Sequence, residues 1–293
     1  MKRLLNRSEE RVNRTLSELT ESWDAHTYPK VRLADVLPIE QSGISARSYR
    51  FALQSHFDFV VTDSDFNPLF AVEFDGPTHK SVVQAQRDDI KDALCQRFQL
   101  PLLRVNARYI DEPYRQMDLL AWFVNYWFAQ QAINEAYETG QIHPTEYVDR
   151  LMIFSLPGSS STFPLWLTAD VRTTFKQHYS SGKCLDFGPS SFVGVDPQGN
   201  YHAISYIAVT ESEGLIAETG MRTQRFQVPC ADVLDAITEH QILDDFQAYL
   251  TEKVQGIPLG DIAERVRWYY DNYTMLMAGC STQSGLLNNT PCS

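Results

Sequence analysis

The sequence predicts an α/β protein, with a compact N-terminal unit ordered helix, strand, strand, strand, helix, strand, and an α+β module after it. Three observations predict this. Apolar spacing alternates between helical and extended periods over residues 5–108. An aromatic-rich helical stretch follows, and no further unit of the same pattern succeeds it. The charge also divides. Residues 1–110 carry 15 Lys and Arg against 15 Asp and Glu, whereas residues 111–293 carry 10 against 22 and so hold the whole net charge of −12.

The first helix is expected from about Leu4 to Asp24, because Leu5, Val12, Leu16, Leu19 and Trp23 share one face. TYPKVRLADVL reads as a strand: Val31 and Leu33 alternate with Lys30 and Arg32, between Pro29 and Pro38. Residues 39–56 read as an irregular polar connector. FDFVVT and LFAVEFD flank DSDFNP, whose turn-forming residues predict a hairpin, and Gly76 and Pro77 close its second strand. A helix over Ser81–Phe98 and a short buried strand in PLLRVN complete the unit.

From Pro113 to about Gly140 a helix carrying Trp122, Phe123, Tyr126, Trp127 and Phe128 is expected to pack on the first unit and link it to the second. Further on, SFVGVDPQGNYHAISYIAV predicts a hairpin turning at Asp196–Asn200. Helices are expected over 231–253 and 259–272, the latter with Asp261 as N-cap. The domains expected are therefore 1–112, a linking helix at 113–140, and an accessory domain at 141–293 with a flexible tail from about 281.

Composition excludes several classes. Hydrophobic residues at 43% and charged residues at 21% argue for a packed core and against disorder. No apolar run approaches the roughly 20 residues that span a bilayer, and no signal peptide is legible, so a soluble cytoplasmic protein is expected. The five cysteines, at 95, 184, 230, 280 and 292, form no CxxC pair, which predicts reduced, buried thiols rather than a zinc site. The acidic net charge argues against non-specific nucleic-acid binding over the whole surface, while the balanced first segment leaves room for a local basic face.

The chemistry concentrates in the predicted hairpin. With Asp63–Pro68 as the connection, Thr62 pairs with Leu69, and counting outward sets Asp58 opposite Glu73. Directly opposed side chains have Cβ atoms roughly 5 Å apart, where like charges repel. Asp75 points to the same face as Glu73. Such a cluster calls for a cation, and Mg²⁺ typically takes one or two carboxylates plus water and phosphate oxygens. A one-residue slip would send Asp58 to the other face; each acid alone reads as a solvated strand end or a salt bridge, the better reading for Asp58 by itself, and the three together before Gly-Pro-Thr-His point to a site.

Glu9 interrupts the apolar stripe of the first helix and is either a core-facing carboxylate or a helix-edge residue. Gln84, Asp88 and Lys91 share a helix face that could look back at the acids, with Lys91 either stabilising phosphorane charge or simply paired with Asp88. His79 could protonate a leaving oxygen, or be incidental. Arg47 and Arg50 are candidates for backbone-phosphate contacts.

These residues carry a resemblance. The order of elements, with Asp58 in the second strand and Glu73 in the third, resembles the PD-(D/E)XK nuclease superfamily, to which Vsr-like repair endonucleases and many restriction enzymes belong. The segments PKVRLADVL, FDFVV, AVEFDGPTH and QRDDIKDALCQRFQLPLLRV are more closely similar to a bacterial branch, domain of unknown function 2726. The resemblance covers about residues 5–108. It implies a restriction-endonuclease-like αβββαβ core with a mixed sheet, and Asp58 and Glu73 as metal ligands. The superfamily's lysine, two residues after that Glu, is replaced by Asp75, and Lys91 is the candidate for its migrated equivalent.

The expectation is an endonuclease dependent on Mg²⁺ or Mn²⁺ and acting on DNA. Asp58, Glu73 and Asp75 would hold the metal, Lys91 would stabilise charge, and Glu9 and His79 would position water or the leaving group. The competing expectation is a catalytically inactive nuclease-like fold serving as a nucleic-acid-binding scaffold. A third is a protein-interaction adaptor working through the acidic C-terminal half.

Overall fold

The computed structural model describes residues 5–75, 82–106, 119–146, 148 and 167–279. The chain divides into two compact units, Met1–Leu165 with Gln224–Val228, and Trp166–Thr223 with Pro229–Ser293.

The first unit begins with α1, Arg7–Glu21, shorter at both ends than its apolar stripe suggests. Its start is set by a capping box: Asn6 Oδ1 accepts from the Glu9 amide at 2.9 Å, and Glu9 Oε2 accepts from the Asn6 amide at 2.9 Å. Val12, Leu16 and Thr20 form its buried line. Strand β1 is His26–Arg32. The extended run expected through Leu37 ends there, and Leu33–Val36 turns into a short helix, α2, whose Leu33 is fully buried. The connector expected to be irregular contains α3, Ala46–Gln54, because Ser45 caps it by accepting from the Ser48 amide at 3.1 Å. Its isolated apolar positions, Tyr49, Phe51 and Ala52, pack into the core and override weak local patterning.

Strands β2, His56–Thr62, and β3, Pro68–Asp75, form the hairpin. Helix α4, Val82–Arg97, and strand β4, Leu102–Asn106, follow. The four strands make one mixed sheet in the order β1-β2-β3-β4, antiparallel except for the parallel β3–β4 pair. A parallel neighbour needs a crossover, and α4 supplies it.

Alternation sorts the sheet into two buried faces. Val60, Ala71 and Leu102 join Leu33, Ala52 and Leu94 in one core. On the other face, the Phe70 ring lies 4.8 Å from Trp127 and 5.2 Å from Phe226. Trp127 belongs to α5, Leu119–Glu138, the aromatic helix expected as a linker. It lies within the first unit, since its buried face fills this core. Phe226 comes from the distant segment Gln224–Val228, whose Arg225 bridges Leu102 and whose Gln224 Oε1 accepts from the Arg104 amide at 3.0 Å.

The second unit holds α6, Ala169–Ser180, and a five-stranded antiparallel sheet. Its strands are β5, Ser190–Val195, β6, Tyr201–Ala208, β7, Glu213–Met221, β8, Ile257–Pro258, and β9, Thr274–Gly279. The order is β8-β7-β6-β5-β9, and the β5–β6 turn spans 196–200 as its sequence predicts. Helix α7, Cys230–Leu250, covers the face bearing Ile207, and α8, Leu259–Asn272, covers the face bearing Ile204 and Tyr206. Burial on both faces explains why β6 is apolar without alternation. Asp261 lies in the first turn of α8 rather than at its N-cap, which is Pro258.

Among the described residues no helix is long and apolar enough to cross a membrane. Cys95, Cys184 and Cys230 are buried free thiols, and burial pushes Cys95 up to about 12.

Candidate active site

The hairpin register positions the site. The connection is shorter than expected, Asp63–Asn67, and Thr62 pairs with Pro68 instead of Leu69. A β-bulge between Val61 and Thr62 absorbs the extra residue. Beyond it the pairs are Val61↔Phe70, Val60↔Ala71 and Phe59↔Val72, so one further step sets Asp58 opposite Glu73. The expected juxtaposition arises although the expected turn does not.

Both carboxylates are engaged. Asp58 Oδ2 accepts from the Phe74 amide at 2.9 Å, which locks it across the strand pair. Asp58 Oδ1 lies 2.6 Å from Lys30 Nζ, and the same ammonium lies 2.8 Å from Glu9 Oε1. Glu73 is 8% exposed, and its Oε1 lies 2.6 Å from Lys91 Nζ. Lys91 is equally buried; it also donates to the His56 carbonyl at 3.0 Å and sits over the Phe57 ring. Burial raises the Glu73 pKa above its ordinary value, with Lys91 opposing and the Asp58 charge adding to the rise.

Arg104 borders the cluster. It faces Glu73 across the parallel β3–β4 pair and reaches Asp92 at 2.8 Å and Asp88 at 3.5 Å. Gln84 Nε2 in turn donates to Asp88 Oδ1 at 3.1 Å. The helix face of Gln84, Asp88 and Lys91 thus looks onto the sheet end carrying the acids, with Lys91 paired to Glu73.

The structure therefore brings Glu9, Asp58, Glu73 and Lys91 into one charged cluster. Glu9 serves both readings of its position, since one oxygen caps α1 and the other meets Lys30. Asp75 ends β3 in register with Asn106, but its side chain and all of His79 lie outside the described residues. Arg47 and Arg50 are exposed on α3, where the Arg50 Nε donates to the Ala46 carbonyl at 3.2 Å.

Two residues were not singled out by sequence. Lys30 alternates with Val31 and Leu33, so it reads as a solvent-facing strand lysine. Its position opposite Asp58 follows only from the β1–β2 register. Arg104 is the one charge in the apolar run PLLRVN, a signal that could have marked it.

The donor chemistry fits a hard divalent cation: opposed carboxylates on neighbouring strands offer oxygen ligands of the kind Mg²⁺ takes. Among the described residues, no three His, Cys, Asp or Glu side chains are already gathered around a common point. Ammonium groups stand against the carboxylates instead.

The family described as Protein of unknown function (DUF2726) matches residues 1–121, which span the whole cluster. No curated protein and no solved structure matches the chain.

Proposed function

We propose that the first unit is a metal-dependent nuclease that hydrolyses phosphodiester bonds, with DNA as its substrate. The observation that carries the reading is the register that sets Asp58 opposite Glu73, with the Lys91 ammonium 2.6 Å from Glu73. Like charges are not placed together on a buried strand pair for stability, since opposed acids weaken a sheet.

Asp58 and Glu73 would hold Mg²⁺ or Mn²⁺, with Asp75 as a further ligand. When bound, the ion supplies charge against the scissile phosphate and activates water. The chain's own residues do the rest. The Phe74 amide fixes the Asp58 carboxylate, so its ligating oxygen is aimed before substrate arrives. Lys91 is held on two sides, by Glu73 and by the His56 carbonyl, and places a compact positive charge where a pentavalent phosphorus would develop negative charge. Arg104, anchored on Asp92, adds a second positive charge beside Glu73 that opposes, without cancelling, the rise in its pKa caused by burial. Arg47 and Arg50 offer exposed guanidinium groups to backbone phosphates.

A panel of single- and double-stranded DNA and RNA, incubated with Mg²⁺ or Mn²⁺, tests this. The expected result is metal-dependent cleavage of DNA that is lost in Glu73→Ala with the circular dichroism spectrum retained. Equal cleavage by both proteins would assign the activity to another site or a contaminant.

One observation favours a second reading, an inactive nuclease-like fold that binds nucleic acid or a protein partner. Each acid of the cluster already has an ammonium partner. Failure of the wild type to bind Mn²⁺ would select it.

A further inference from the structure

We propose that Lys30 is an exchangeable counter-ion of the carboxylate site: its ammonium, seated between Asp58 and Glu9, occupies the Asp58 oxygen that a divalent metal on Asp58 and Glu73 needs, and must leave when that metal enters. The inference rests on the metal-site reading above and adds how that site is filled.

Position is the first reason. The pairs Pro29↔Phe59 and Val31↔Phe57 bracket Lys30 and set it opposite Asp58. Lys30 has φ 55°, a left-handed conformation uncommon for a residue with a Cβ and unexpected inside a strand. The backbone departs from the extended form where the ammonium meets carboxylates from two different elements, at 2.6 and 2.8 Å. An outlier of this kind is a reason to look for function.

Competition for the same oxygen is the second. Asp58 Oδ2 is committed to the Phe74 amide, so ligation by Asp58 falls to Oδ1, the atom Lys30 now contacts. An ammonium and a divalent ion on one carboxylate oxygen would repel strongly at that separation.

The two lysines differ in freedom to move. The Lys91 side chain is 10% exposed and has a carbonyl partner besides Glu73, whereas the Lys30 side chain is 36% exposed on the edge strand β1. A lysine on a flexible four-carbon stem at a sheet edge can swing into water at little cost. Lys30 is therefore the one that yields, and Lys91 stays at Glu73. Between the Asp58 and Glu9 carboxylates the Lys30 amine is engaged on two sides and slow to acylate.

The test uses the full chain. Mn²⁺ binding is measured by calorimetry for the wild type and Lys30→Met, with thermal unfolding as a fold control. In parallel, brief acetylation by an amine-reactive ester, with and without Mn²⁺, is read at each lysine by peptide mass spectrometry. Exchange predicts about tenfold tighter Mn²⁺ binding in Lys30→Met, and in the wild type a several-fold faster acetylation of Lys30 alone when Mn²⁺ is present. Binding only in Lys30→Met would support exchange in its tightest form. Equal Mn²⁺ affinity with unchanged Lys30 labelling would overturn exchange and leave the metal site standing. Absence of binding in both folded proteins would overturn the metal site itself.

Discussion

Glu73 in the first unit and Glu239 in the second are both buried carboxyl groups, at 8% and 1% exposure, yet their surroundings differ. Glu73 meets a buried ammonium at 2.6 Å, and Arg104 stands across the next strand pair. Glu239, on α7, meets Arg172 at 3.0 Å, but that guanidinium side chain is 56% exposed; each acid keeps one buried oxygen, Glu73 Oε1 and Glu239 Oε2, without a hydrogen-bond partner. Asp235, one helical turn earlier, accepts from Ser191, and Ser205 donates to Ser191 at 2.9 Å. Burial, with the Asp235 charge added, pushes Glu239 up to about 7. Burial raises both carboxyls, but the first unit sets a buried ammonium and a guanidinium near its acid, whereas the second offers a half-exposed guanidinium. Fixed cations close beside an acid are what phosphate chemistry requires. That difference is why the functional reading rests on the first cluster.

The largest effect should come from Lys91→Met, which strands Glu73 in the core. Removing one partner of a buried pair costs about 3–5 kcal/mol, read as a lowered denaturation midpoint for the first unit. Glu73→Gln in the same chain should recover most of it. If Lys91→Met were neutral, Glu73 would be coping as Glu239 does, by protonation, and the contrast would collapse.

Next is the pH dependence of the second unit. A carboxyl whose pKa rises from 4.5 unfolded to about 7 folded binds its proton more tightly when native. Its stabilising contribution is full below pH 4.5, falls as pH rises through 7, and is then gone. The span corresponds to about 3 kcal/mol. Glu239→Gln should therefore match the wild type in acid and exceed it at pH 8 by about that amount. Parallel thermal-unfolding curves at the two pH values, with no gap opening, would refute a neutral Glu239.

Smaller effects separate the two jobs of Glu9. Glu9→Ala removes both the cap and the Lys30 contact and should cost about 1 kcal/mol. Glu9→Gln keeps an acceptor at that position of the capping box, so it should retain helix stability while loosening Lys30. Equal losses in both would mean that the Lys30 pair, not the cap, holds the helix start.

The smallest effect is expected at Arg47 and Arg50. Replacing either with Ala should leave stability within about 0.5 kcal/mol. Each should weaken DNA binding uniformly across sequences and reduce the salt dependence by about one unit of slope. An unchanged salt slope would remove α3 from the nucleic-acid surface.

Much of this was legible in sequence because hairpins are local. Asp58 and Glu73 lie on strands joined by a short turn, so counting outward found their juxtaposition. The bulge at Val61/Thr62 was invisible to counting, and it offset the misjudged turn. Lys91 was legible through helical spacing from Asp88. Helix α3 was missed because its apolar positions are too few to show a period, and only packing against Leu33, Leu94 and their neighbours explains it.

Sequence by itself determined the order of the first unit's longer elements, α1, β1 to β3, α4 and β4, but not α2 and α3; it also determined the hairpin that opposes two acids and the β5–β6 turn, since each depends on contacts a few residues apart. Tertiary structure alone decided two of the cations, Lys30 and Arg104. Lys30 reaches Asp58 through a strand register across 28 residues, Arg104 reaches Glu73 through a parallel crossover, and Phe226 enters the first core from far along the chain. Charge neutralisation in a buried site depends on which side chains arrive within a few ångströms. Local periodicity carries no information about pairings made by chain closure over such separations.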